Sequence, residues 1–210
     1  MTPPRHHPSS ITTNIPTKHL QTTQITIHTH LTYVPCTTAT MPTRTTLLLS
    51  SRNAPFQRAH FAIFIPSPTS PNAGRGTLIN VVGAPMAGYK LEFERNHVPA
   101  SRQHYQHYEL FPIGEVDVQH IVDSGDEVHS VDDSPRGEVE IVATQVKPPG
   151  ISENFLAPVN DTTNRRCQEW TMDYVRHLVK KGIIGEEAVE IVQGRRDPPE
   201  HGIGLKAGQR

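Results

Sequence analysis

Residues 164–179, Asn-Arg-Arg-Cys-Gln-Glu-Trp-Thr-Met-Asp-Tyr-Val-Arg-His-Leu-Val, constrain the fold more than any other stretch. Cys167, Trp170, Tyr174 and Leu178 follow three- and four-residue steps and so share one face of a helix. Glu169, Asp173, Arg176 and Lys180 fall largely off that face. An apolar stripe of this kind needs a second layer to bury against, and Trp170 and Tyr174 read as core contacts on a sheet. Asn164 reads as the N-cap, and Gly182 after Lys180-Lys181 as the stop, with cations at the negative end of the helix dipole. Cys167 then lies in the first turn, where free backbone N–H groups and the dipole favour a thiolate. Arg165 and Arg166 add positive charge there. A thiol so placed is either a buried seam residue or a nucleophile.

The second layer is legible upstream. Residues 60–65, His-Phe-Ala-Ile-Phe-Ile, form a compact β-type run, stopped by Pro66 and the turn-rich residues 67–74. Residues 77–82 predict a hairpin partner for it, and residues 91–95 a third strand after a turn at 83–88. Residues 108–111, 115–122 and 138–146 supply further strands, with 123–136 as a loop. Pro148-Pro149-Gly150 closes the β region, and a shorter helix, 186–193, follows the 182–185 turn. The order predicts an α+β domain, an antiparallel sheet of about five to six strands packed on a C-terminal helix pair. It spans residues 55–196, with 197–210 as a flexible tail.

Residues 1–54 are dominated by Thr, Pro, His and Ser and contain no Asp or Glu, the first acidic residue being Glu92. That composition predicts a disordered tail. Acid-poor, Arg-bearing leaders occur as mitochondrial transit peptides, but this one is proline-rich and lacks an amphipathic helix. Alternatively the natural start is Met41. The two cysteines, Cys36 and Cys167, make no disulfide framework, which points to a reducing, cytoplasmic setting. A balance of 20 Lys and Arg against 21 Asp and Glu argues against a general nucleic-acid binder. No apolar run approaches the ~20 residues that span a bilayer. The sequon at Asn160 has no secretory signal to accompany it and reads as chance.

Thiol chemistry requires a base within hydrogen-bond reach and a polar group that orients the base. The chain has 13 His, so identity alone selects none of them. His60 is selected by position, opening the most apolar strand at a sheet edge. Asn80 interrupts the otherwise apolar Leu-Ile-Asn-Val-Val of the next strand, where β propensity disfavours it. Taken together, His-Phe-Ala-Ile, Gly-Thr-Leu-Ile-Asn-Val-Val-Gly and Arg-Cys-Gln-Glu-Trp resemble a family of uncharacterised fungal proteins, from about Arg58 to Pro199. The layout also resembles permuted papain-fold proteins such as the lecithin:retinol acyltransferase group. In those, the chain supplies His first, a polar strand residue second and a helix-start Cys last. The resemblance implies His60 as base, Asn80 as orienting residue and Cys167 as nucleophile; backbone N–H groups around Cys167 and Gln168, with Arg166 adjacent, suit an oxyanion. It departs where that group has Asn-Cys-Glu-His-Phe and this chain has Arg-Cys-Gln-Glu-Trp, so acyltransferase substrates do not carry over.

Other patterns are weaker. Residues 83–90 resemble a phosphate loop, but Tyr89 intervenes and no Ser or Thr follows the lysine. No G-x-S-x-G elbow is present. His28, His30 and Cys36 fit no common zinc spacing; His104 and His107, with His97 nearby, read as ligands or, by preference, as a His-rich, solvated strand approach, and no spacing predicts three or four converging donors. Glu186, Glu187 and Glu190 read as a solvated helix face. Glu169 and Asp173 on an outer face argue against a DNA-reading helix. Two functions follow: a thiol hydrolase or transferase acting on a small acyl, peptide or isopeptide substrate, with no cofactor and no metal, or a non-catalytic module that binds a protein partner and keeps Cys167 as a packing residue.

Overall fold

The protein is described by a computed structural model, which covers residues 41–70, 74–101 and 107–203. Six strands, β1 (Thr43–Arg52), β2 (His60–Pro66), β3 (Gly76–Ala84), β4 (Gly88–His97), β5 (His107–Asp117) and β6 (Ser130–Asp132), form one open sheet in the order β5-β1-β2-β3-β4-β6. Every neighbouring pair is antiparallel. Among the described residues three α-helices accompany it: α1 (Glu138–Thr144), α2 (Cys167–Lys180) and α3 (Glu187–Arg195). The fold is α+β, as expected. No helix among the described residues is long and apolar enough to cross a membrane.

β2 is apolar from Phe61 onward because both of its faces are covered there. Phe61, Ile63 and Ile65 join Ile79, Val81, Phe93 and the helices in the main core. Ala62 and Phe64 meet Leu47, Leu49 and Leu78 in a smaller cluster on the opposite face. Each fully buried large side chain contributes about 1.5–3 kcal/mol. On α2 the predicted stripe is buried, and its polar atoms find backbone partners: Trp170 Nε1 donates to Val146 O at 3.0 Å and Tyr174 Oη to Val139 O at 2.9 Å. Gly182 ends the helix with φ 70°, the left-handed conformation the stop requires.

Several expectations are corrected. The disordered tail does not extend to residue 54, because Thr43–Arg52 forms β1, a strand between β5 and β2. Its Thr-Thr-Leu-Leu-Leu-Ser run carries ordinary β propensity, hidden by the Thr/Pro composition before it. Residues 1–40, with Cys36 and the possible leader, lie outside the described residues. The strand expected at 138–146 is helix α1: Val139, Val142, Ala143 and Val146 share a buried helical face, and the alternation of Glu-Val-Glu-Ile-Val concealed it. Residues 108–122 form one strand and a short 3₁₀ turn, Val118–His120, capped by the Asp117 carboxylate accepting from Gln119 N at 3.0 Å. The loop at 123–136 contains β6, which pairs with β4.

Two corrections concern the helix that carries the thiol. Its N-cap is Arg166, so Cys167 is the first helical residue. Asn164 instead secures the preceding loop, donating to Ala157 O at 2.8 Å and Pro158 O at 3.1 Å. Glu169 is buried at 1% exposure rather than turned outward. The domain also runs past residue 196, because Asp197 accepts hydrogen bonds from Arg52, Gln168 and the Ala59 N–H.

Candidate active site

The site forms where β2 and β3 part. The two strands pair over Ile63–Pro66 and Gly76–Ile79, and beyond that register the start of α2 takes its place beside β2. Gln168 Nε2 donates to Ala59 O at 2.9 Å, the Cys167 thiol to the same carbonyl at 3.7 Å, and Thr171 Oγ1 to Phe61 O at 3.5 Å. The thiol therefore lies against backbone flanking His60. By strand alternation His60 and Asn80 belong with Ala62 and Leu78, on the sheet face away from the helices. Where the strands part, His60 and Cys167 line the same cavity.

His60 Nε2 and Asn80 Oδ1 are 3.1 Å apart. Asn80 Nδ2 is directed at Glu92 O, 3.5 Å away, which orients the amide oxygen toward the imidazole. An amide oxygen only accepts, so Nε2 carries a proton and donates it to Asn80. Asn80 is 1% exposed, and the hydrogen bonds account for a polar residue inside the sheet. Of the sequence-selected residues, His60 and Asn80 are thus in direct contact, and His60 shares a cavity with Cys167.

His60 and Cys167 both line a cavity of about 310 Å³, together with Arg58, Tyr89 and Arg166. A second hollow of about 560 Å³ shares Val82, Gly83 and Tyr89 with the first and continues past Pro149 and Ile151. Gly83 is required here, since a Cβ would meet the Gly88 carbonyl oxygen at 2.1 Å. That close hairpin sets Tyr89, whose N–H donates to Pro149 O at 2.9 Å, against the cavity. Burial, and then the nearby Cys167, push the Tyr89 phenol well up, so it remains a proton donor across the physiological range. Tyr89 was missed in the sequence because it sits in the run read as a broken phosphate loop.

Burial also pushes the Cys167 thiol up, and Glu169 adds to this; the backbone at Phe61 and Gln168 and the Arg58 guanidinium pull the other way without prevailing. The resting cysteine is a neutral thiol, contrary to the thiolate expected from the helix dipole and the two arginines. Those arginines are engaged elsewhere: Arg165 pairs with Asp173, and Arg166 Nη2 donates to Phe155 O at 3.0 Å. The Gln168 side chain is likewise committed, holding Ala59 and Asp197, which leaves only its backbone for an oxyanion. Glu169 anchors the helix start, accepting from Arg58 at 2.7 Å, from Arg196 at 2.8 Å and from the Arg166 N–H at 3.0 Å. Arg58 was also missed, there being no local pattern that marks an arginine for burial.

The fold and site define an α+β domain with a buried helix-start cysteine and an oriented histidine on one cavity. Residues 46–185 match DUF6540, a family of unknown function, and the chain belongs to that family. The matched span begins within β1 and includes His60, Asn80 and Cys167. No curated protein and no solved structure matches the chain.

Proposed function

We propose that the protein is a cysteine-dependent hydrolase or acyl/peptidyl transferase of permuted papain-like layout, with Cys167 as nucleophile, His60 as base and Asn80 as the orienting residue. The observation that carries this reading is the His60–Asn80 hydrogen bond, with His60 lining the cavity that Cys167 also lines. Because the thiol rests neutral, His60 Nδ1 acts as a general base in the attacking step: Sγ bonds to the substrate carbonyl carbon as its proton passes to the imidazole. The carbonyl oxygen gains the displaced electron pair, and the Tyr89 hydroxyl with the backbone N–H groups of Cys167 and Gln168 stabilises it. The imidazolium then protonates the leaving amine or alcohol, and water or another acceptor cleaves the thioester. The groove continuing along the β3–β4 hairpin suits an extended acyl, peptide or isopeptide chain.

The test is alkylation of Cys167 by iodoacetamide in a Cys36→Ser background, with and without His60→Ala. Loss of the base is expected to slow modification near pH 7 by about tenfold or more; equal rates would remove His60 from the chemistry. One observation favours a second reading, a non-catalytic interaction module: Cys167 is only 8% exposed and its thiol already has an acceptor in Ala59 O. On that reading the cysteine is a packing residue and resists alkylation until the protein unfolds.

A further inference from the structure

A second cluster of side chains with metal-binding chemistry lies at the end of β4 remote from Tyr89. We propose that Glu94, His97 and His129 bind a divalent transition metal ion, zinc by preference. The donor atoms of these three residues all lie within 4.8 Å of one another. His97 Nδ1 is 3.0 Å and His129 Nε2 3.6 Å from the same oxygen, Glu94 Oε2. Donors at about 2.0–2.1 Å from a tetrahedral zinc stand about 3.3 Å apart, so the two separations bracket what the ion needs.

The backbone is specifically arranged to make this cluster. Residues 94 and 97 of a regular strand would point to opposite faces. Here the register slips, Leu78 opposing Glu94 but Gly76 opposing His97, so β4 carries one extra residue in a bulge. Asn96 lies within it at φ 51°, the left-handed conformation that costs a side-chain-bearing residue about 1–2 kcal/mol. The bulge turns His97 to the side of Glu94, and both are 1% exposed. The Asn96 side chain then clamps the loop that carries His129, donating to Asp126 O at 2.9 Å and Val128 O at 3.0 Å. Pairing of Arg95 with Ser130 fixes His129 next to β4. The expectation of a solvated, His-rich strand approach therefore fails for His97, although His107 is exposed.

The ligand chemistry selects the ion. Two imidazoles and one carboxylate suit zinc, whereas magnesium and calcium take oxygen ligands. Among the described residues His97 Nε2 has no hydrogen-bond partner although it is buried, so moving the ring proton from Nδ1 to Nε2 frees the Nδ1 lone pair for the ion. The His129 side chain is 54% exposed, which gives the ion an entry path and leaves solvent access to a fourth position.

The experiment is zinc titration of the full chain by calorimetry and by thermal unfolding, comparing wild type with His129→Ala and Glu94→Gln. His129 is exposed, so its substitution leaves the metal-free melting temperature unchanged and keeps the comparison valid even if Glu94→Gln folds poorly. Wild type is expected to bind one more equivalent of Zn²⁺ than His129→Ala, and Zn²⁺ to raise its melting temperature while the variant's stays fixed. The same zinc stoichiometry and the same thermal shift in both would overturn the proposal, and would assign all zinc binding to the chain's other histidines.

Discussion

At the scale of single residues, His60, Tyr89 and Cys167 line one cavity, and Asn80 holds the His60 imidazole. Tyr89 supplies a prediction that separates chemistry from packing. Tyr89→Phe keeps the ring in the cavity wall and removes only the hydroxyl, whose proton burial retains. Loss of one oxyanion donor typically costs about 10²–10³ in rate. Acylation of Cys167 by an activated ester should therefore fall by roughly that factor with the melting temperature preserved; unchanged acylation would remove Tyr89 from the site. His60, Asn80 and Cys167 were legible because each breaks a local rule: a polar residue in an apolar strand, or a thiol in a helix's first turn. Tyr89 and Arg58 break none. Their importance comes from a hairpin closure and from a carboxylate 111 positions away along the chain, neither of which leaves a local signature.

At the scale of elements, the start of α2 is held by buried charge rather than by the side-chain cap the sequence suggested. Glu169 draws Arg58, Arg196 and the Arg166 N–H to one carboxylate with a side chain at 0% exposure. Removing one member of a buried ionic group leaves its partners uncompensated, at about 3–5 kcal/mol. Glu169→Ala is expected to destabilise the domain by about that amount in urea unfolding. A change below ~1 kcal/mol would mean that the network does not hold the helix. The elements that resisted reading did so for related reasons. Helix α1 hides its period because Glu140 is turned inward to Arg95, whose guanidinium also binds Asp132 at 2.9 Å; an alternating Glu-Val pattern looks like a half-exposed strand until that arginine is seen. β6 is only Ser130–Asp132, too short to carry a pattern. β2 and its hairpin with β3 were legible because apolar runs separated by a turn leave few alternatives.

At the scale of the whole molecule, ionic contacts tie distant segments together and set the pH dependence of stability. Asp132 is lowered by its hydrogen bonds from Arg95, which outweigh burial. For Asp197 burial is the largest influence and raises it, but hydrogen bonds from Arg52, the Ala59 N–H and Gln168 together bring it below its usual 3.8. A carboxyl group depressed in the folded state contributes stability above its unfolded pKa and loses it as pH falls through the folded value. The domain is thus expected to lose stability below about pH 4, and Asp197→Asn to flatten part of that loss while lowering stability at neutral pH. Denaturant midpoints measured from about pH 2 to pH 7 decide it, and identical pH profiles for the two proteins would contradict this role for Asp197. The C-terminal segment that Asp197 pins reads from sequence as a flexible tail, because Arg-Arg-Asp-Pro-Pro carries no apolar periodicity; the Asp197 hydrogen bonds hold it to Arg52, Ala59 and Gln168.

The central claim is that His60 activates a thiol which burial otherwise keeps neutral. The pH profile of Cys167 alkylation by iodoacetamide, in Cys36→Ser and in Cys36→Ser with His60→Ala, tests it most directly. The account predicts a wide gap between the two near pH 7 that closes at high pH, where the thiol ionises without help. Superimposed profiles across the whole range, or protection of the thiol until the protein unfolds, would contradict it and leave Cys167 a packing residue.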